Sequence, residues 1–159
     1  HRDLHSFPTR RSSDLEGGTW FEEYPNPSRP GHVLNGHMWA LFGLWDAVRA
    51  SNHHMARQWF DEGARALEAN LPRYDTGYWV LYELLPGRPL VNSYYMHFQV
   101  DQLRVLAAIT GTASLAAAAD RWESYHRSLR SFLGLALGGV GRRARRMFHP
   151  TGVVCEPTA

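Results

Sequence analysis

The sequence predicts a mainly helical fold, a partial α/α toroid that also contains a short β-hairpin. Residues 33–50 and 54–70 place apolar side chains at helical spacing, which is the pattern of amphipathic helices. Residues 74–85 are instead aromatic and β-branched with partial alternation, which is typical of extended chain. Helix pairs joined by short turns, with one extended excursion between them, indicate a helical barrel whose ligand binds where loops converge at one end.

The first predicted helix spans 33–50 and carries an apolar stripe that includes Leu34, Met38 and Leu41. Asn35 belongs to the residue types that cap helix N-termini. We therefore interpret Asn35 as the cap of this helix, with an amide that faces a substrate cleft as the alternative. The second predicted helix spans 54–70.

Two further helices are predicted after the extended segment. The first spans 97–110 and ends at Gly111, because glycine commonly terminates helices. The second spans 113–132 and is rich in alanine, with Trp122 on its apolar side. A short connection between two such helices predicts an antiparallel helical hairpin.

The chain divides into three parts by composition. Residues 1–15 have no apolar periodicity and resemble a translated sequencing adapter joined to a truncated gene, so we exclude them from the fold. Residues 16–137 form the predicted helical domain, which we expect to be incomplete. Residues 138–159 are rich in Gly, Arg and Pro, and we predict that they are disordered.

Charge and cysteine content exclude some classes of protein. The net charge is +2, but four arginines lie together between residues 142 and 146, and residues 16–141 are more acidic than basic. We therefore do not expect a nucleic-acid partner. Cys155 is the single cysteine and cannot form an internal disulfide. No apolar stretch reaches the roughly 20 residues of a membrane span.

Four motifs in order give the chain a family resemblance. They are WFEEYP at 20–25, VLNGHM at 33–38 followed by GLWD at 43–46, LPRYDTG at 71–77, and NSYYMH at 92–97 followed by DQL at 101–103. Their order and spacing resemble the C-terminal domain of the D-glucuronyl C5-epimerases, which act on heparosan and heparan sulfate precursors. The resemblance extends over about 17–129. It implies an α/α barrel that follows β-rich domains and helps to form a homodimer.

The resemblance also implies catalytic residues. The tyrosine of the first motif is Tyr24 and the acidic residue before it is Glu23, while the two later tyrosines are Tyr82 and Tyr95. The family converts D-glucuronate to L-iduronate within a polysaccharide by moving the C5 proton from one face to the other. That chemistry needs two opposed acid–base groups, to which we assign Tyr82 and Tyr95, with Tyr24 and Glu23 positioning the substrate. A tyrosine base would need a pKa below its usual value of about 10.

Substrate contacts are expected from Trp20 as a platform for a sugar ring, and from Asn35 and His97. The basic residue that follows the second tyrosine in the family is absent, and Arg88 is the replacement that could neutralise the substrate carboxylate. This chemistry requires no cofactor and no metal ion. The expected partner is a uronate-containing polysaccharide. The cellular location stays open, since family members differ in it.

Three other activities stay open at this stage. A polysaccharide lyase shares the abstraction of the C5 proton and then expels the oxygen at C4. A non-catalytic glycan-binding domain would retain the scaffold without the chemistry. A glycoside hydrolase would need two opposed carboxylates, for which Glu22, Glu23 and Asp75 are the candidates.

Overall fold

The structure, a computed structural model, describes residues 11–12, 15–24, 29–87, 89–128, 131 and 133. Its elements are β1 (Arg11–Ser12), β2 (Trp20–Phe21), α1 (Leu34–Ser51), α2 (His54–Asn70), a 3-10 helix (Leu71–Tyr74), α3 (Ser93–Thr110) and α4 (Ala113–Tyr125). The prediction of a mainly helical fold is confirmed. The described helices do not establish a closed toroid. Residues 138–159 and their predicted disorder lie outside the described part of the chain.

The first two helices form a pair with nearly the predicted bounds. α1 ends where Asn52 adopts a left-handed conformation with φ of 49°, and the Asn52 N–H donates to the carbonyl of Val48. α2 begins immediately afterwards, because the Nδ1 atom of His53 accepts the N–H of Ala56 and so caps the helix. A tight connection of this kind turns the two helices against each other.

The second pair differs from its prediction at both ends. α3 begins at Ser93, four residues earlier than expected, because the side chain of Asn92 accepts the N–H of Tyr95 at 2.9 Å and caps the helix. It ends at Gly111, whose φ of 72° stops the helix as predicted. α4 ends at Tyr125 rather than at 132, with turns at 126–127.

The segment at 74–85, predicted as a short β-hairpin or an extended segment, forms no hairpin ladder among its described residues. The segment is extended, but its described β pairings are single bridges, Asp75 to Val80 and Leu81 to Leu90. A turn within it is closed by the side chain of Thr76, which accepts the N–H of Trp79. β1 and β2 form a separate antiparallel pair of two residues each.

The core lies between the helix pairs and beneath the extended segment. Its fully buried side chains include Leu34, Met38 and Leu41 from α1, Leu67 from α2, Met96, Leu103 and Leu106 from α3, and Leu115 and Trp122 from α4. Every helix therefore contributes an apolar face to one core. Among the described helices, none combines the length and the apolar character that crossing a bilayer requires.

Candidate active site

A buried contact between the Glu22 carboxylate and the His32 imidazole joins the segments of the first two motifs. The carboxylate of Glu22 lies 2.6 Å from Nδ1 of His32 and also accepts the backbone N–H of His32 at 3.0 Å. His32 has a left-handed backbone with φ of 51°, and its carbonyl accepts the hydroxyl of Tyr74 at 2.6 Å. These contacts fix the chain on both sides of Tyr24 and Glu23.

Trp20 has a structural role that differs from the expected sugar platform. Its side chain is completely buried, and its ring stacks on His37 at 3.9 Å and on Tyr74 at 5.9 Å between centroids. A ring with protein on both sides and no exposed surface offers no face to a pyranose. The prediction for Trp20 is therefore corrected: its ring packs against His37 and Tyr74 inside the core.

His37 holds β2 against the first two helices. Its Nδ1 accepts the N–H of Phe21, and its Nε2 lies 3.0 Å from the carbonyl of Gly63. An acceptor at one ring nitrogen and a donor at the other define the neutral tautomer. Burial lowers the pKa of His37 to about 3, so the ring stays neutral in the folded protein at physiological pH.

Tyr82 is held by its backbone at the junction of three segments. Its carbonyl accepts the N–H of Leu34 at 3.2 Å, at the start of α1, and its own N–H donates to the carbonyl of Pro89 at 2.8 Å. The preceding residue, Leu81, donates to the carbonyl of Tyr74 at 2.9 Å. These bonds orient the extended excursion so that the Tyr82 side chain points toward the first turn of α3.

Tyr95 lies in that first turn, where the cap by Asn92 places it. The rings of Tyr82 and Tyr95 meet edge to face with centroids 6.0 Å apart. Tyr82 is half-buried and Tyr95 is 37% exposed. The two tyrosines that the motifs nominated as the acid–base pair therefore lie side by side.

Tyr24 and Glu23 complete the cluster from a third segment. The hydroxyl of Tyr24 forms a hydrogen bond with Tyr82, and the Glu23 carboxylate lies close enough to act on the same phenol. Glu23 packs over Gly36, since a Cβ built there would lie 2.6 Å from Oε2 of Glu23. We call Tyr24, Tyr82, Tyr95 and Glu23 the tyrosine cluster. Its members come from loops and a helix start that are far apart in sequence.

The protonation of Tyr82 differs from what the sequence led us to expect. Burial, followed by the negative charge of Glu23, raises the pKa of Tyr82 well above its ordinary value, and the hydrogen bond with Tyr24 acts in the same direction. Tyr82 is therefore a neutral phenol across the physiological pH range. In this state it can donate a proton but cannot accept one.

Asn35 and His97 do not join the tyrosine cluster. Asn35 does not cap α1, since the cap position is Val33 and no side chain bonds there. Asn35 is buried with its Oδ1 unpartnered among the described atoms, and its carbonyl lies 3.4 Å from Nε2 of Gln102. His97 stacks on His126 at 4.1 Å, on the side of α3 that faces α4. Arg88 lies outside the described residues.

The carboxylate of Asp75, in the third motif, is occupied by structural hydrogen bonds. Its carboxylate accepts hydrogen bonds from the hydroxyl of Tyr125 at 2.7 Å, Nε1 of Trp122 at 3.1 Å and Nε of Arg121 at 2.7 Å. The N–H of Gly77 donates to it as well. These hydrogen bonds lower the pKa of Asp75 despite the opposing effect of burial, which is the largest single influence. Asp75 thereby ties the extended excursion to α4.

The sequence interpretation did not single out an exposed group of rings beside the tyrosine cluster, although it left Trp39 open as core or sugar platform. Trp39 is 54% and Tyr94 is 73% exposed, and Phe98 contacts both rings. The available signal was position: Trp39 lies off the apolar stripe of α1, and Tyr94 directly precedes Tyr95. An aromatic side chain on the polar side of an amphipathic helix is unexpected for packing alone.

Comparison with known proteins agrees with the motifs. A family model described as "D-glucuronyl C5-epimerase C-terminus" matches residues 8–124. The chain is 34% identical over 128 residues to a D-glucuronyl C5-epimerase of Caenorhabditis elegans, a match that covers 69% of this chain and 20% of the nematode protein. It is 33% identical over 92 residues to an uncharacterized protein of Methanocaldococcus jannaschii, covering 58% of this chain and 29% of that protein. The chain thus spans less than a third of each of these relatives.

Proposed function

Since this chain belongs to the D-glucuronyl C5-epimerase C-terminus family, we propose that it carries the acid–base groups of a glucuronyl C5-epimerase. The substrate is a polysaccharide of the glycosaminoglycan type, in which D-glucuronate residues are converted to L-iduronate. The observation that carries the proposal is the meeting of three phenols from separate segments at Tyr82. Dimerisation of the complete protein remains a prediction from the family resemblance.

The reaction requires a proton to leave C5 on one face and another to arrive on the opposite face. Removal of the C5 proton places negative charge on the adjacent carboxylate, and protonation of the resulting enolate at C5 restores the uronate with inverted configuration. Two acid–base groups on opposite sides of the ring suffice. We assign them to Tyr82 and Tyr95, whose rings are neighbours at 6.0 Å.

The protonation state of Tyr82 supports an assignment of which tyrosine is the acid and which is the base. Because burial and Glu23 keep its phenol protonated, Tyr82 is the group that delivers the proton to the enolate. Tyr95 is the opposed base that first takes the proton from C5, a role for which its own hydroxyl must be deprotonated. Tyr24 bonds to Tyr82 and positions its hydroxyl, while Glu23 supplies the negative charge that keeps Tyr82 neutral. We assign neutralisation of the substrate carboxylate to Arg88.

Glycoside hydrolase activity, retaining or inverting, is disfavoured because two of the three candidate carboxylates are already bound to other protein groups. Glu22 is buried against His32, and Asp75 accepts four hydrogen bonds from protein groups. Glu23 remains, and a hydrolase needs a second carboxylate opposite it. The geometry therefore favours acid–base catalysis by tyrosines over hydrolysis by two carboxylates.

The test is hydrogen exchange at C5. The complete protein is incubated with heparosan in deuterated water, and the polymer is examined by nuclear magnetic resonance for deuterium at C5 and for L-iduronate. We expect both, with chain length unchanged. An unsaturated uronate at a new chain end would instead identify a lyase, new reducing ends without unsaturation would identify a hydrolase, and tight binding without exchange would identify a glycan-binding domain.

A further inference from the structure

A continuous row of aromatic rings leads away from the tyrosine cluster across the surface of α1 and α3. From Tyr95 it passes to Tyr94, with centroids 5.7 Å apart, then to Phe98 at 6.4 Å and to Trp39 at 5.6 Å. We call Tyr94, Phe98 and Trp39 the aromatic row. It begins at a proposed catalytic residue and ends on a different helix.

Exposure distinguishes this row from the core. The large apolar or aromatic side chains with high exposure in the described part of the chain are Tyr24, Trp39, Met55, Tyr94, Tyr95, Val105 and Leu133. All four aromatic members of that set lie in the tyrosine cluster or the aromatic row. Single exposed aliphatic residues need no explanation, whereas a contiguous exposed group of rings marks a binding surface.

The ring geometry leaves faces available for a ligand. Tyr94 meets Tyr95 at 84° and Trp39 meets Phe42 at 76°, so each pair is in edge-to-face contact. Tyr94 and Phe98 are almost parallel, at 4°. Because 73% of Tyr94 and 54% of Trp39 are exposed, much of the surface of each ring is accessible to a ligand.

We propose that the aromatic row is a stacking site for the sugar residues of the polysaccharide that flank the uronate under reaction. This inference rests on the proposed function, because it takes the tyrosine cluster as the place where the reacting ring lies. A polymer whose middle residue occupies that cluster must extend over the adjoining surface. The apolar faces of its pyranose rings can pack on Tyr94 and Trp39, and the Tyr94 hydroxyl can bond to sugar oxygens.

The composition of the row favours a saccharide over a protein partner. A helix face that packs against another helix carries aliphatic side chains that interdigitate, and the row has none among its three members. Continuity with the tyrosine cluster points the same way, since a surface used for docking protein has no reason to begin at the proposed catalytic groups.

The experiment measures binding as a function of saccharide length. Calorimetry of the full chain is carried out with methyl glucuronide, which has no flanking sugar, and with a heparosan decasaccharide, for the unaltered chain and for Trp39→Ala, Tyr94→Ala, Trp39→Phe and Tyr94→Phe. Met55→Ala is the matched control, because Met55 is 41% exposed on α2. We expect each alanine variant of the row to lose about tenfold in affinity for the decasaccharide, corresponding to one ring contact.

Methyl glucuronide should bind all variants alike, since it can fill only the tyrosine cluster. The two phenylalanine variants should retain most decasaccharide affinity, because they keep a ring face. Equal decasaccharide binding by the alanine variants and the unaltered chain would overturn the proposal, as would a failure of the unaltered chain to bind decasaccharide. A change in molar mass of Trp39→Ala by light scattering, with binding unchanged, would overturn it in favour of a protein interface.

These outcomes are separable from those of the proposed function. Binding that depends on the row without C5 exchange would retain the stacking site and reject the epimerase. Exchange with no dependence of affinity on the row would retain the epimerase and reject the stacking site.

Discussion

The rings of Tyr82 and Tyr95 meet edge to face at 78°, with centroids 6.0 Å apart. Tyr82 is placed by backbone hydrogen bonds to Leu34 and Pro89, whereas Tyr95 is placed by the cap of α3 at Asn92. Two separate local structures thus determine how the two phenol rings are placed relative to each other. A shift in either would change the position of one phenol relative to the other.

Loss of the Tyr82 hydroxyl should remove the proton donor while leaving the fold intact. For Tyr82→Phe we expect C5 exchange to fall by about 10²–10⁴-fold, the usual contribution of general acid–base catalysis. The measurement is the initial rate of deuterium incorporation into heparosan. Tyr78→Phe is the control, because Tyr78 packs against the core, and its exchange rate should stay within about twofold of the unaltered protein. Equal rates for the two variants would contradict the assignment.

Gly36 lies against Glu23, and this contact predicts that a methyl group added at residue 36 will disturb the tyrosine cluster. A Cβ at residue 36 would lie 2.6 Å from Oε2 and 2.7 Å from Cβ of Glu23, so Gly36→Ala must displace Glu23 from its place beside Tyr82. We expect the exchange rate to fall by about tenfold, as misplacement of a site residue commonly produces.

Gly43→Ala is the matched control for this change. Gly43 is in the same helix, and a Cβ there meets nothing within 4 Å. It should keep full activity and gain about 0.5–1 kcal/mol in the free energy of unfolding, because glycine is unfavourable inside helices. Thermal unfolding and C5 exchange are measured on both variants. Full activity in Gly36→Ala would show that Glu23 has no role at Tyr82.

The helices could be predicted from sequence because their apolar spacing and their end signals agree. α2 was predicted at 54–70 and spans His54–Asn70, and Gly111 ends α3 as expected. The start of α3 was missed because Asn92 acts as a cap ahead of residues 93–96, where two tyrosines obscure the helical pattern. The extended excursion was recognised, but single bridges and side-chain turns replace a ladder there.

The only site residues that could be predicted from the sequence were those that belong to the family motifs. Tyr24, Tyr82 and Tyr95 do come together, which no local pattern could show. The burial of Trp20 was not predictable, because the sequence does not reveal that His37 and Tyr74 enclose its ring. The raised pKa of Tyr82 likewise depends on burial and on Glu23, both of which are properties of the folded chain.

Removal of the charge on Asp75 should destabilise the fold. Its carboxylate accepts from Tyr125, Trp122 and Arg121, and Asp75→Asn turns one acceptor into a donor that faces other donors. We expect a loss of about 2–4 kcal/mol in the free energy of unfolding, since hydrogen bonds to charged groups contribute about 1.5–3 kcal/mol each. Urea denaturation followed by circular dichroism measures it.

Asp120→Asn provides the comparison for this loss. Asp120 accepts from Arg104 on the surface, with its side chain 74% exposed, so its removal should cost less than about 1 kcal/mol. Similar losses for the two variants would mean that Asp75 is not the tie between the excursion and α4.

Alkaline pH should destabilise the protein through its tyrosines. Burial, followed by the hydrogen bond to Asp75, raises the pKa of Tyr125 to about 12, and the pKa values of Tyr74 and Tyr82 are also raised. The unfolded chain loses these protons near pH 10, the ordinary value for tyrosine, while the folded chain keeps them. The stabilising contribution of the protonated phenols is therefore complete below about pH 10 and declines as the pH rises toward the folded pKa values.

The composition makes this decline measurable, because the chain contains no lysine and arginine stays charged well above pH 12. Urea midpoints should be nearly constant from about pH 8 to 9.5 and should fall steadily above about pH 10. Tyr125→Phe should start from a lower stability, since it loses the bond to Asp75, yet show a shallower decline because one titrating phenol is gone. A parallel decline in both proteins would mean that Tyr125 ionises alike in the folded and unfolded chains.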